Sequence, residues 1–299
     1  MTRDALPPLH LLLALVVVAV WGTNFVVIKW GLADFPPLTF AALRFAFAVL
    51  PAIFFLKRPK VSWWNLAAYG VLIGVGQFGV LYIAMTQWIS PGLASLVVQV
   101  QAFFTIGFAM LLAGERIKGY QIAALALAAC GLGWLMAHTN AEVTPLGLGL
   151  VVFAALAWAG GNTTARAAGP VNMLSYVVWA SIFSAPPLFV LAFLFEGWPA
   201  MSQSIVHADA GAWAAVLWQS VGNTIFGYTA WAWLLARYPA ATIAPLSLLV
   251  PVFGMGASAV LLHEPLTHWK LTAAVLVLGG LAINTLWPRI AQRRAATPA

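Results

Sequence analysis

The chain has 299 residues, of which 63% are hydrophobic and 7% charged. Soluble domains carry about 25% charged residues, so this composition excludes a water-soluble monomer and points to the lipid bilayer. The net charge of +7 does not mark a nucleic-acid partner, because lysine and arginine stand singly or in small groups between oily runs.

A helix that crosses a bilayer takes about 20 mostly apolar residues. Ten such runs follow in order: 9–29, 36–56, 66–88, 91–113, 119–137, 145–165, 171–195, 210–235, 239–262 and 269–288. The first has membrane length and no well-placed small-residue cleavage site, so it reads as a span and not as a cleaved leader. Turn chemistry at Pro36-Pro37, Pro59, Pro91-Gly92, Gly169-Pro170 and Pro239 separates the runs. They are too long, and alternate too little, for a barrel. The lone Cys130 lies in an apolar run and leaves no intrachain disulfide. The longest polar linker is 196–209.

Lysine and arginine gather on cytoplasmic loops. With both termini in the cytoplasm, eleven fall inside, at 3, 57, 58, 60, 116, 118, 166, 237, 289, 293 and 294. Two, Lys29 and Lys270, fall outside, and Arg44 stays within the membrane.

The chain also repeats itself. Val75-Gly76-Gln77, four residues, then Tyr82 is matched by Val221-Gly222-Asn223, four residues, then Tyr228. Trp21 to Lys29 corresponds to Trp158 to Arg166, Pro91 to Pro239, and Glu115 to Glu264. Five helices per copy is an odd number, so the second copy is inverted relative to the first. Inverted repeats place a binding site near the midplane and let two halves rock about it. The expected fold is therefore an all-α integral membrane protein of ten transmembrane helices, built from inverted five-helix repeats at 1–138 and 139–299.

Trp21-Gly22-Thr23-Asn24-Phe25, Arg44, Gly114-Glu115 and His263-Glu264-Pro265-Leu266-Thr267, in that order, resemble the EamA-type branch of the drug/metabolite transporter superfamily. The resemblance covers nearly the whole chain. Within the branch it is nearest to bacterial inner-membrane exporters of aromatic amino acids. It implies export of small metabolites through a central cavity lined by helices 3, 4, 8 and 9, with help from 1 and 6. One departure is plain: the second tryptophan motif reads Trp158-Ala159-Gly160-Gly161-Asn162, one position longer before its asparagine.

Polar side chains deep in a membrane helix face protein or a wet cavity. Gln77 and Asn223 lie halfway along helices 3 and 8, and their amides suit a zwitterion's ammonium and carboxylate. The plainer alternative is helix-to-helix glue, worth about 0.6 kcal/mol on average. On helix 4, Gln99 and Gln101 point to different faces. Gln99 is expected to line the cavity and Gln101 to pack on a neighbour. Ser247, Asn24 and Asn162 complete the polar candidates. Tyr82, Trp158, Trp179 and Tyr228 lie within spans, where ring stacking on an aromatic solute contributes about 0.5–1.5 kcal/mol. Trp63, Trp64, Trp88, Trp198, Trp213 and Trp287 fall at span ends as interface anchors.

Arg44 has no acidic residue at its depth, which leaves backbone carbonyls, an aromatic face or a substrate carboxylate as its partner. Lys29 is expected to snorkel to the outer surface. Glu115 and Glu264 are expected to tie helix ends to their neighbours. The small pairs Gly70/Gly74 and Gly254/Ser258 permit close helix approach, and mid-span prolines favour kinks.

The sequence holds no metal-ligand cluster, nucleotide motif or nucleophile–histidine pair, so no enzyme, metal or cofactor is expected. The reading is an alternating-access exporter of aromatic and other apolar amino acids in the bacterial inner membrane. With no mid-span carboxylate or histidine, proton coupling is not expected. Its partners are a small-molecule substrate and lipid, and a monomer is expected to suffice. The alternatives are a broader drug or metabolite efflux carrier, and a non-transporting scaffold or sensor.

Overall fold

The structure is a computed structural model that describes residues 7–113, 117–238 and 240–296. Glu115, Gly114 and Pro239 lie outside the described residues. Nine helices are long and apolar enough to cross a membrane among those described: α1 Pro8–Asp34, α2 Pro37–Phe54, α3 Trp63–Gln87, α4 Pro91–Leu112, α5 Gly119–Ala137, α6 Pro145–Ala167, α7 Met173–Phe195, α9 Ala244–Leu261 and α10 His268–Pro288. Between α7 and α9 the chain runs as one further continuous helix, α8, over 210–237. It has the length of a span but a weaker hydropathy, because Gln219, Ser220, Asn223 and Thr224 fall in its middle. The linker 196–209 is itself largely a short helix, Trp198–His207. No strand forms among the described residues, beyond isolated bridges. The protein is an all-α membrane protein.

Large apolar side chains cover the outside: Leu9, Phe54, Phe55, Phe193, Phe195, Val260 and Val275 are all more than half exposed. A monomer in water rarely shows apolar surface on this scale; in lipid it is the contact surface. The inside is packed through small residues. A side chain on Gly22 would meet Phe253 and the Val250 carbonyl, and one on Gly254 would meet Ser95. Gly70 and Gly74 face Ala180, Phe183 and Ser184 of α7. Both small-residue faces expected from sequence thus serve close helix contacts. The contacts form a regular pattern. α1 packs on α8 and α9, while α6 packs on α3 and α4; α2 pairs with α7, α4 with α9, and α5 with α10. Exchanging each helix with the one five places on returns the same set of pairs.

Proline marks the breaks. Pro51 stands where α2 tightens into a 3-10 turn, Ala52–Phe54. In α7 the helix ends at Ser181 and restarts at Ala185, carrying Pro186 and Pro187 in its first turn. Pro245 sits in the 3-10 stretch Ala244–Leu249 that opens α9. In each case the missing N–H and the ring's clash with the preceding turn disfavour a continuous α-helix.

Two departures toward a wider helix are not signalled by proline at all. α3 widens to a π-helix at Leu72–Gly79, and α8 does so at Trp218–Phe226. Gln77 lies in the first and Asn223 in the second. π segments are rare and are frequent at functional sites.

Candidate functional site: a central amide-and-aromatic cavity

Between the helices lies a cavity of about 610 Å³. α1 contributes Trp21, Asn24, Phe25 and Ile28; α3 contributes Tyr69, Gln77, Phe78 and Leu81; α4 contributes Val98, Gln99 and Gln101. From the second half come Trp158 and Asn162 of α6, Asn223, Tyr228 and Trp231 of α8, and Ser247 and Val250 of α9. Among the described residues, no acidic or basic side chain lines it.

Much of the polar lining is unpaired. Among the described residues, the side-chain amides of Gln77, Gln99 and Asn223 have no hydrogen-bond partner, although each residue is at most 6% exposed. Asn24 Oδ1 is fully buried and likewise without a partner. A buried amide lacking a partner costs about 1–3 kcal/mol. Glue residues on helix interfaces satisfy one another, and these do not. By contrast, Asn162 Nδ2 donates to Gln101 Oε1 at 2.9 Å, which bridges α6 to α4. The Thr105 hydroxyl donates to the same oxygen at 3.3 Å. Ser247 donates to the Ala244 carbonyl at 2.7 Å, so its hydroxyl has only acceptor capacity to spare.

The expectation that Gln99 and Gln101 cannot share the cavity is corrected: both line it. The reason is the 3-10 turn Val98–Val100. With about three residues per turn there instead of 3.6, residues two apart point less far from one another than in an α-helix.

The cavity walls are aromatic. Trp21 packs on Tyr228 and Trp231, at ring separations of 5.9 and 5.2 Å, and its indole N–H donates to the Asn223 carbonyl at 3.2 Å. Trp21 stands opposite Trp158 in the repeat, and that correspondence was available in the sequence. Tyr69, Phe78, Met173 and Trp231 are lining residues that carried no signal there, since each is one apolar or aromatic residue among many.

Three sequence candidates sit elsewhere. Tyr82 is fully buried behind the cavity and accepts from Arg44 Nη1 at 3.2 Å. Trp179 donates to the Leu56 carbonyl at 3.0 Å and packs on Trp63, so it anchors α7 to the end of α2. Arg44 itself is 1% exposed and lies outside the cavity lining. Its guanidinium stacks on Phe78 at 3.6 Å and donates to Gln219 Oε1 at 3.0 Å and Thr224 Oγ1 at 3.3 Å. Tyr82 and Trp179 are therefore held by protein partners.

The lining continues from the midplane to Ala165, Met173, Leu235, Ala236 and Ala244, at the ends of α6 to α9 that carry Arg166 and Arg237. Among the described residues, no lining residue comes from the opposite end. That end is laced shut. Glu264 accepts from the Ser90 hydroxyl, from the Gly92 N–H at 3.1 Å and from Lys270 at 3.0 Å. Lys270 also pairs with Glu142 at 3.1 Å. Glu196 caps the start of α2 through the Leu38 and Thr39 N–H groups. Lys29, expected to snorkel to the outer surface, is half-buried and reaches along to the end of α3. Its ammonium donates to the Met85 and Thr86 carbonyls at 3.2 and 2.9 Å, where the last turn of α3 leaves acceptors open.

A family model described as the EamA-like transporter family matches residues 8–137 and 145–286. The chain belongs to that family. Among its relatives, a probable amino-acid metabolite efflux pump of Escherichia coli (strain K12) is 43% identical over 279 residues, covering 91% of this chain and 93% of that one. A protein of the same description from Salmonella typhimurium is 42% identical over 290 residues, covering 95% and 96%. A solved crystal structure superposes with a TM-score of 0.64 at 19% identity, over 95% of this chain and 98% of that one, and shows the shared fold. Membership of the EamA-like family makes this a multi-pass membrane protein of the drug/metabolite transporter superfamily, with a small molecule as its substrate.

Proposed function

We propose that this protein exports amino-acid metabolites, aromatic and other apolar amino acids foremost, across the bacterial inner membrane. The observation that carries this reading is the set of unpartnered amides on Gln77, Gln99 and Asn223 within an uncharged, tryptophan-walled cavity. Amides offer both donors and acceptors, which meets an ammonium and a carboxylate without favouring either charge. The indole and phenol rings take the apolar end by stacking. The Escherichia coli and Salmonella typhimurium relatives, described as probable amino-acid metabolite efflux pumps, support the amino-acid class. Liposomes holding only this protein test it: saturable flux of labelled phenylalanine or tryptophan supports the reading, and no saturable flux of either overturns it.

In this reading residues 1–138 and 139–299 are inverted repeats, and the chain alternates by rocking one set of helices on the other. With both termini cytoplasmic, the open arginine end faces inward and the laced lysine end faces out. Labelling sidedness checks the orientation. Cys130 is exposed and is first replaced by alanine. Single cysteines at positions 58 and 204 then react with an impermeant reagent from opposite faces. Reaction from the same face would remove the inverted arrangement.

Transport follows the solute gradient alone in this proposal. Among the described residues no acidic side chain or histidine lines the cavity, so none of them loads and unloads a proton there. Imposing a pH difference across the liposomes is expected to leave the initial rate unchanged. Accumulation against the solute gradient, abolished by a protonophore, would defeat this and turn attention to Glu264.

A further inference from the structure

Arg44 presents a buried charge with no counter-charge. Its hydrogen-bond partners, Tyr82, Gln219 and Thr224, are all neutral, and its other contacts are the rings of Phe78 and Phe45. Among the described residues no carboxylate lies within ion-pair distance of it. Proteins do not deprotonate a guanidinium, and charges at membrane depth pair with something.

Two donors beside it remain unused. Arg44 Nε and Gln219 Nε2 are both buried without an acceptor. Gln219 already gives its Oε1 to Arg44, so its free N–H₂ group is held within one side chain of the guanidinium. A void of about 10 Å³, bounded by Arg44, Phe78, Ser181, Ser184, Thr224 and Tyr228, adjoins the guanidinium to which Gln219 is bonded. That is room for a group about the size of one water. Tyr69, Phe78 and Tyr228 line this void and the central cavity alike.

We infer that Arg44 and Gln219 form a binding site for one small monovalent anion, either free chloride or the carboxylate group of a solute reaching past Phe78. A water could accept from both donors but would leave the charge unpaired. An anion satisfies the donors and neutralises the guanidinium together. This inference does not rest on the transport reading, because its test reads melting and not flux.

The experiment uses the purified full-length chain in detergent, in sodium gluconate, with chloride or formate replacing gluconate at constant ionic strength. The melting temperature of the wild type is expected to rise saturably with chloride or with formate. In gluconate alone, a rise with phenylalanine and none with phenylalaninamide assigns the site to a solute's carboxylate. Gln219→Glu supplies the missing anion from the protein. It is expected to melt higher in gluconate and to weaken the anion response by about tenfold or more, the value of roughly one 1.4 kcal/mol interaction. If the variant does not fold, the wild-type titration decides alone. Equal melting in all three salts and with both phenylalanine compounds overturns the site, as does an undiminished response in folded Gln219→Glu.

Discussion

Gln77→Leu and Asn223→Leu are each expected to lower the initial transport rate per folded molecule by about tenfold or more, and to leave the melting temperature nearly where it was. The two halves of the expectation have separate causes. A hydrogen bond to a charged group contributes about 1.5–3 kcal/mol, and leucine offers none to an ammonium or a carboxylate. Neither amide has a protein partner among the described residues, so truncating it breaks nothing within the fold. Leucine is close in volume and removes a buried polar group, which costs no stability. Asn162 provides the contrast. Its Nδ2 bridges to Gln101 Oε1 at 2.9 Å, so Asn162→Leu is expected to destabilise as well. Normal flux in both Gln77→Leu and Asn223→Leu would make those amides mere packing.

These positions were legible in the sequence because membrane burial makes an amide conspicuous and because it recurred at one spacing in both halves. Eight of the side chains singled out from sequence line the cavity: Asn24, Gln77, Gln99, Trp158, Asn162, Asn223, Tyr228 and Ser247. What the sequence did not carry was helix geometry. Nothing in Leu72–Gly79 or Trp218–Phe226 announces a π-helix, since neither stretch holds a proline or other break in its apolar run peculiar to that geometry. The 3-10 turn at Val98–Val100 was equally silent, and it is what brings Gln101 round beside Gln99.

Tyr82 shows the limit of reading depth as exposure. It shares helix α3 with Gln77 but lies five residues on, past the end of the π segment, and faces Arg44 and Phe40 instead of the cavity. Trp179 sits near the broken middle of α7, whose restart at Ala185 ends any simple count of faces. The ends were harder still. Lys29 and Lys270 read alike in sequence as outer-surface cations, yet one caps a helix and the other is buried among carboxylates.

That difference sets the largest stability effect expected. Lys270→Met should destabilise the protein by about 3–5 kcal/mol, the usual consequence of removing one partner from a buried pair. Lys270 has no exposed side-chain surface and bonds Glu264 at 3.0 Å and Glu142 at 3.1 Å. Its removal leaves Glu264, itself 9% exposed, with only the Ser90 hydroxyl and the Gly92 N–H. Glu142 is 31% exposed and recovers water, so most of the loss resides at Glu264. A second change then separates charge from packing. Lys270→Met with Glu264→Gln removes the orphaned charge while a glutamine oxygen still accepts from Gly92, and is expected to recover much of the stability. Lys29→Met is the control: its ammonium contacts only backbone carbonyls at the end of α3, where a cation contributes about 0.3–1 kcal/mol. Thermal unfolding in one detergent measures all of them. Equal losses for Lys29→Met and Lys270→Met, or no recovery in the double variant, would mean that the ion pair is not what holds α4, α9 and α10 together at the closed end.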